Sequence, residues 1–465
     1  MKPYLFILAI IAYLCSVFYS SKLLDIIISL LSIVIVITVY ASVKRFVQGM
    51  GTIFLLIGVI LLFLHGSPWT NYFYGFGNML KVLSLFALIP IISIPIVLGN
   101  YAIRIQAMIQ SKIKDTGLLY MVTSGMAYIL SAFMNLATLP MMYRTIRPSL
   151  DIYTIQHKER FISRAITHGY SMPTVWTPVT PIVGIIVEMT GVRWSSILPI
   201  VIPFSLVGLV LDMLIGKWNA NHRPKTINQT VLDEVSAAQE STVQGSTQKH
   251  GLSKSSHPIQ ILVAILTFNG LIFILEEFSN LSFLLLVTVS VIPFAVVWSL
   301  LLGKGKLFVI ESKSMLQKHL LGMKEQFFIF LSAGFMISAI QATGTGHSIN
   351  LGLIGVKDFI GPDLFLLFIP LIPFALAFIG IHPAVGLALV AEALNPKALG
   401  ISVEVTAVAM LVGATMAFMM GPYNATTNMM ASLTGKSSYQ VSNWNAPFTI
   451  FYLLMSILLL LIIKK

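Results

Sequence analysis

Nine stretches of this 465-residue chain are long, nearly uninterrupted apolar runs: residues 4–20, 23–42, 50–64, 79–99, 196–216, 258–275, 281–302, 326–342 and 446–463. Runs of about 20 apolar residues match the roughly 30 Å of a bilayer's hydrocarbon core and are read as transmembrane helices. Composition agrees, with 57% hydrophobic and 10% charged residues and a mean hydropathy of +0.89, where soluble domains carry about a quarter charged residues. The expected fold class is an all-α polytopic membrane protein. The first run has one lysine before it and no small-residue cleavage site, and a second span follows at once, so it reads as a retained helix. The single Cys15 excludes an intramolecular disulfide and a multi-thiolate metal site.

The net charge of +12 does not point to nucleic acid, because the basic residues flank the apolar runs instead of forming one patch. With the N-terminus cytoplasmic and the C-terminus outside, most of the 29 Lys and Arg fall on the cytoplasmic side, as expected of a multi-pass protein of the cell membrane.

Two interrupted helices carry the functional signal. TPVTPIVGIIVEMTG, from Thr177 to Gly191, and GPYNATTNMMASLTG, from Gly421 to Gly435, lie 244 positions apart, and that offset holds for Pro178 with Pro422 and for Thr190 with Thr434. In a bilayer, unpaired backbone groups are tolerated only where protein or a water-filled cavity surrounds them. Matching breaks in two halves of a chain therefore mark a binding site.

Around the breaks the chain divides into residues 1–78, N-terminal scaffold helices; 79–217, a first repeat; 218–257, a polar cytoplasmic linker; 258–325, further scaffold helices and an interfacial arm; and 326–465, a second repeat. The first repeat contains a hydrophobic hairpin at 117–146 and a broken helix at 160–191. The second has a hairpin at 363–394 and a broken helix at 401–435. Basic residues on both sides of the first hairpin (Lys112, Lys114, Arg144, Arg147) make it enter and leave from the cytoplasm, while the second has few and enters from outside. The repeats are thus expected to be inverted, with about 11 spans and two re-entrant hairpins.

Four features converge on the midplane: the tip Asn135-Leu136-Ala137-Thr138, the break Thr177-Pro178-Val179-Thr180-Pro181, the tip from Gly380 to Gly386 with His382-Pro383, and the break from Gly421 to Asn428 with Pro422, Asn424, Thr426 and Thr427. Helix N-termini there favour an anion, with about 0.5 of a positive charge each, and C-termini favour a cation. Asn and Thr add neutral oxygens and donors. They also cap helices routinely, so each has a structural reading beside the binding one. His382, before a proline at a tip, is read as a carboxylate donor or a titrating group. Glu188 and Glu392 are the acidic residues expected within the bilayer, His168 is read as structural, and Asp212 and Glu404 as solvated near span ends. No hydrolase elbow, phosphate loop, zinc motif or thiol pair is present, and the chain is not expected to be an enzyme.

At Gly421-Pro422-Tyr423-Asn424-Ala425, and more loosely at Thr177 to Pro181, the chain resembles the ion transporter superfamily, which includes divalent anion:sodium symporters, TRAP transporter membrane subunits, citrate carriers and arsenite-efflux pumps. The tips depart from the symporters' Ser-Asn-Thr signature. The resemblance implies elevator-like transport, sodium coordination at Asn135, Thr138, Asn424 and Thr427, and a homodimer; His382 makes the proton a rival coupling ion. The function expected is secondary transport of a small organic anion, a carboxylate, coupled to Na+ or H+, with no cofactor and with membrane lipid as the surrounding partner. The alternatives are a cation/proton antiporter, an oxyanion efflux carrier and, further off, a membrane enzyme or assembly scaffold.

Overall fold

The computed structural model describes residues 4–19, 21–101, 113, 115–151, 155–221 and 257–464, and all regular structure within them is helical. Most of the expected linker, and most of the expected interfacial segment between Tyr101 and Asp115, lie outside the described residues. The chain opens with α1 (Tyr4–Phe18), α2 (Lys22–Tyr40), α3 (Arg45–Leu64), α4 (Trp69–Tyr74), α5 (Leu80–Leu88) and α6 (Ile94–Leu98). There follow α7 (Thr116–Met134), α8 (Thr138–Ile146), α9 (Lys158–Ser171), α10 (Pro181–Thr190) and α11 (Trp194–Asn221). Next come α12 (Ile259–Phe278), α13 (Phe283–Leu301), α14 (Gly305–Gly322), α15 (Lys324–Thr343) and α16 (Thr345–Ile360). The last are α17 (Pro362–Phe368), α18 (Leu371–Ile379), α19 (Pro383–Ala393), α20 (Pro396–Leu399), α21 (Val403–Met420), α22 (Ala425–Thr434) and α23 (Ser438–Ile463).

Among the described residues, eleven segments are long and apolar enough to cross a membrane. The tally differs from the expected one in its members: it includes Thr116–Asp151 and Pro362–Ile379, which hold the hairpin sequences, and leaves out the 15-residue α1 and the polar α9. α16 was not expected at all, because TGHSINLGLIGVKDFI is too polar to register as a span.

Burial sorts these helices. In the span Val403–Thr434, 83% of the most apolar window is buried, against 22% in α3. The first is therefore central and the second peripheral. Leu56, Ile60 and Phe63 on α3, and Leu454, Leu458 and Ile462 on α23, stay exposed, as side chains facing lipid do. α3 lies along α15, with α2 beside them, while α7, α9, α11, α21 and α23 pack on one another around the two breaks.

The 244-residue offset governs helix geometry as well as sequence. α10 and α22 begin at Pro181 and Ala425 and end at Thr190 and Thr434. Gly191 (φ +71°) and Gly435 (φ +67°) close them in the left-handed conformation that glycine adopts freely. The next helices start at Trp194 and Ser438, and Pro203 and Pro447 lie inside them at the same offset. Gly169 and Gly413 obey it too: a Cβ at either would stand 2.2 Å from a backbone carbonyl oxygen, of Ser124 and Pro370 respectively. Each broken helix therefore touches the first arm of its own hairpin backbone to backbone. Gly208 of α11 meets Tyr452 of α23, its own counterpart at that offset.

Candidate functional site: two breaks and two tips

Each tip turns where the backbone leaves the helical region. Asn135 has φ +47° and Gly380 has φ +95°; asparagine and glycine are the residues that tolerate this best. Asn135 to Ala137 form a short 3-10 turn before α8, and His382 caps α19, its Nδ1 accepting the Ala384 N–H at 3.2 Å. The His382 ring stands edge-on to Phe86 and Phe330, and Pro383 is buried beneath it. Phe86 also presents its carbonyl to His319 of α14 at 3.1 Å, so that arm braces the second tip; burial holds the His319 imidazole below its usual range.

At the first break, Thr177 Oγ1 donates to the Ala132 carbonyl at 2.8 Å, the Thr180 N–H donates to the Thr177 carbonyl at 3.1 Å, and Pro181 starts α10, where its missing N–H is no loss. Pro178 sits in the turn between them. Both threonines are buried. Trp176 fixes the turn from both sides: its Nε1 donates to Tyr128 Oη at 3.0 Å and its carbonyl accepts from Trp194 Nε1 at 2.8 Å.

The second break is held by its own polar residues. Asn424 Nδ2 donates to the Ala417 carbonyl and, at 3.2 Å, to the Phe418 carbonyl, while its Oδ1 accepts the Thr427 N–H at 2.8 Å and the Thr427 hydroxyl at 2.9 Å. The Gly421 carbonyl is the other acceptor within reach of that single hydroxyl proton. Free carbonyls left by the break are taken from outside by Ser442 (Met420) and by Asn445 (Met419, 2.8 Å). Gly421 fits against Ala377, which a Cβ would approach to 2.9 Å, and Pro422 follows it in the turn. Asn424 and Thr427 thus act as caps whatever else they bind.

The tips and breaks pair crosswise. α8, which follows the first tip, packs on α22, which follows the second break; α10, after the first break, packs on α19, after the second tip. The helix that begins at Thr138, after Asn135 and Ala137, thus lies beside the helix that follows Asn424 and carries Thr426 and Thr427, and the helix that follows Thr177, Pro178 and Thr180 lies beside the one that begins at Pro383, after His382. Tyr170 reaches the first tip: its hydroxyl donates to Asn135 Oδ1 at 3.0 Å, and Thr426 is buried beside it. Thr138 Oγ1 is buried with no partner among the described residues. Ala137 is exposed at the tip.

Below this level, a cavity of about 560 Å³ opens where α9 and α23 begin, lined by Arg147, Lys158, Arg160, Lys436, Gln440 and Trp444 among others. Glu159 and Asp151 hold Arg147 and Lys158 in place at 2.8 to 3.1 Å. The excess of cationic side chains in its lining favours an anion.

One sequence reading is corrected here and another gains a partner. Asp212, read as solvated, is 1% exposed and bonded on both oxygens, with His168 Nδ1 at 2.6 Å, Tyr120 Oη at 2.9 Å and Ser124 Oγ at 2.7 Å. A lone carboxylate in the 28-residue apolar α11 was itself the signal. Glu188 pairs with Lys81 at 2.9 Å, a partner 107 residues away that pattern reading did not supply. Glu392 accepts from Gln341 at 2.8 Å, and Glu404 is exposed. Among the described residues, no group of three or more His, Cys, Asp or Glu could hold a metal ion.

No protein-family model and no curated protein matches the sequence. Solved structures do. The chain is similar to MtrF of Neisseria gonorrhoeae, described with a class of antimetabolite efflux pumps, with a TM-score of 0.60 and 11% identity over 89% of this chain and 95% of that one. It is also similar to the YdaH transporter of Alcanivorax borkumensis, with a TM-score of 0.56 and 13% identity over 88% and 97%. At such identities the likeness is one of fold, and the fold is that of polytopic membrane transporters.

Proposed function

We propose that this chain is a secondary active carrier that moves a small organic anion, a carboxylate, across the cell membrane, driven by H+ or Na+. The observation that supports it most is the crosswise pairing of two broken helices with two hairpin tips. It sets helices that start at breaks and tips side by side, with buried hydroxyls and amides at their ends, in an otherwise apolar bundle. In this reading the halves are inverted repeats, the hairpins are re-entrant, the N-terminus is cytoplasmic and the C-terminus outside. The basic cavity is then the cytoplasmic vestibule. Hairpins and broken helices move as one body against the scaffold of α1–α4 and α12–α14, as the earlier resemblance implies. Export is a second reading of direction, favoured by the likeness in fold to an efflux pump.

The test is uptake of radiolabelled acetate, succinate and citrate, together with arsenite as an oxyanion control, into proteoliposomes under imposed proton or sodium gradients. Gradient-driven accumulation of a carboxylate is expected. Accumulation of arsenite alone would move the assignment to oxyanion export, and no flux of any solute in either direction would overturn the carrier reading.

A further inference from the structure

Among the described residues, only two Asp, Glu, His, Lys or Arg side chains are fully buried: His168 and Asp212, and they are bonded to each other. The pair is built from three helices, with Tyr120 and Ser124 of α7 and Asp212 of α11 closing on His168 of α9, and Phe448 of α23 stacks on the imidazole at 4.5 Å. Gly169, next in the chain, allows the backbone of α9 this near to α7.

The fold itself does not ask for this pair. At the 244-residue offset that relates the two halves, the counterparts of His168 and Asp212 are Val412 and Ser456, equally buried and uncharged. A buried ion pair is a poor stabiliser beside apolar packing, and ionisable groups at membrane depth are kept for function. The helix bounds keep the same offset on either side of the breaks, so the difference at these positions is one of side-chain chemistry.

Two polar atoms in the cluster want a proton. With Nδ1–H given to Asp212, His168 Nε2 is an acceptor; it is buried without a partner, and so is Asn445 Oδ1. The Asn445 side chain lies beside the ring. A proton on Nε2 makes the imidazolium a donor on both sides, to Asp212 and to Asn445. Asn445 in turn donates to the Met419 carbonyl at 2.8 Å, two residues before Gly421 at the second break. Tyr170, two residues after His168, holds Asn135 at the first tip.

We propose that His168 and Asp212 form the proton-loading site through which this carrier is coupled to a proton gradient. The inference rests on the carrier reading above and names its coupling ion. Loading forms one N–H bond at Nε2 with a proton taken from water on the side of higher proton activity and adds one positive charge to the cluster; release breaks that bond and returns the proton to water on the other side, and an anionic cargo supplies the compensating charge. The other groups facing the pair are Tyr120 from α7, Arg164 from α9, and Tyr452 from α23, one ring beyond Phe448. α22 has no titratable residue, α21 only Glu404 at its far end, α8 only Tyr143 and Arg144, and the Glu276 and Glu277 of α12 serve the opposite end of α11.

Infrared difference spectra of the full chain in liposomes, with ring-labelled histidine, are recorded across about pH 5 to 9, where histidine titrates. A labelled imidazole band is expected to titrate in that range, to vanish in H168Q and to shift by at least about one pH unit in D212N. In parallel, succinate and citrate uptake driven by a proton gradient is expected to fall about tenfold or more in D212N, while counterflow of the same solute without a gradient is kept within about twofold. No titration of His168, or undiminished gradient-driven uptake in D212N, overturns the proposal. Loss of counterflow along with driven uptake, in a variant with wild-type melting temperature, overturns it too, by making the pair part of cargo binding. If the wild type moves neither solute, the carrier reading fails by itself and the infrared result still decides whether His168 loads a proton.

Discussion

The hydroxyls of Thr174 and Thr415 meet at 3.0 Å, 241 residues apart in sequence, and join the two broken helices just ahead of the point where each breaks. Each threonine also donates back along its own helix or turn, Thr174 to the Ser171 carbonyl and Thr415 to the Leu411 carbonyl. Each hydroxyl has one proton, so the contact across the helices forms when one threonine donates to the other in place of its own backbone carbonyl, and the crossing is then held by a polar contact in a dry core. A double-mutant cycle with Thr174→Val and Thr415→Val should yield a coupling of about 0.5–1.5 kcal/mol in unfolding free energy. Strictly additive effects in denaturant titrations would show that the hydroxyls do not interact.

Gly169→Ala and Gly413→Ala should each destabilise the protein by about 1–3 kcal/mol, because the new methyl meets a backbone carbonyl that cannot turn aside. Gly270→Ala on α12 is the control: nothing lies within 4 Å of its Cβ, and the helix should gain about 0.5–1 kcal/mol. Thermal unfolding in detergent measures all three. Equal melting temperatures for Gly169→Ala and Gly270→Ala would remove the close hairpin contact.

Asn424 separates capping from cargo binding. Asn424→Ala loses the Thr427 cap and two bonds to carbonyls, and about 1–2 kcal/mol of stability should go with them. Asn424→Asp keeps the acceptor yet turns a charge toward the Ala417 and Phe418 carbonyls, and should be the worse of the two at neutral pH. Uptake that falls only as far as melting temperature falls would assign Asn424 to the cap alone.

In the basic cavity, Lys436→Gln should raise the KM for an anionic solute several-fold at low salt, leave kcat unchanged and flatten the dependence on ionic strength. Uptake assays at two salt concentrations suffice. An altered kcat with constant KM would place Lys436 outside the entry route.

The carboxylates near the other end of the bundle should be dispensable. Glu188, held by Lys81, and Glu392, held by Gln341, are half-buried supports, and an exposed or half-exposed ion pair contributes about 1 kcal/mol or less. The double change Glu188→Gln with Glu392→Gln should leave carboxylate uptake within about twofold of wild type. Abolished cation-driven proton exchange in the same vesicles would favour a cation/proton antiporter.

Much of the site was legible because it is written in local chemistry. Proline and small residues break helices wherever they stand in a hydrophobic run, so Pro178, Pro422 and the ten-residue helices after them could be located by eye. Asn135 and Gly380 marked turns for the same local reason. Tyr170 could not be found this way, since nothing in its neighbourhood says that its hydroxyl reaches Asn135, 35 residues back. Nor could Asn445 be told from any polar residue in a long helix until its amide met the Met419 carbonyl.

The sequence by itself determined that the chain is a bundle of apolar helices broken twice at one offset, because span length, hydropathy and proline act within a few residues of where they occur. Tertiary structure alone decided which break meets which tip, that Glu188 has Lys81, and that Asp212 is a buried partner of His168 where the string suggested a solvated end. Those outcomes depend on which faces of distant helices touch, and burial of a charge in lipid depends on partners that arrive from other helices.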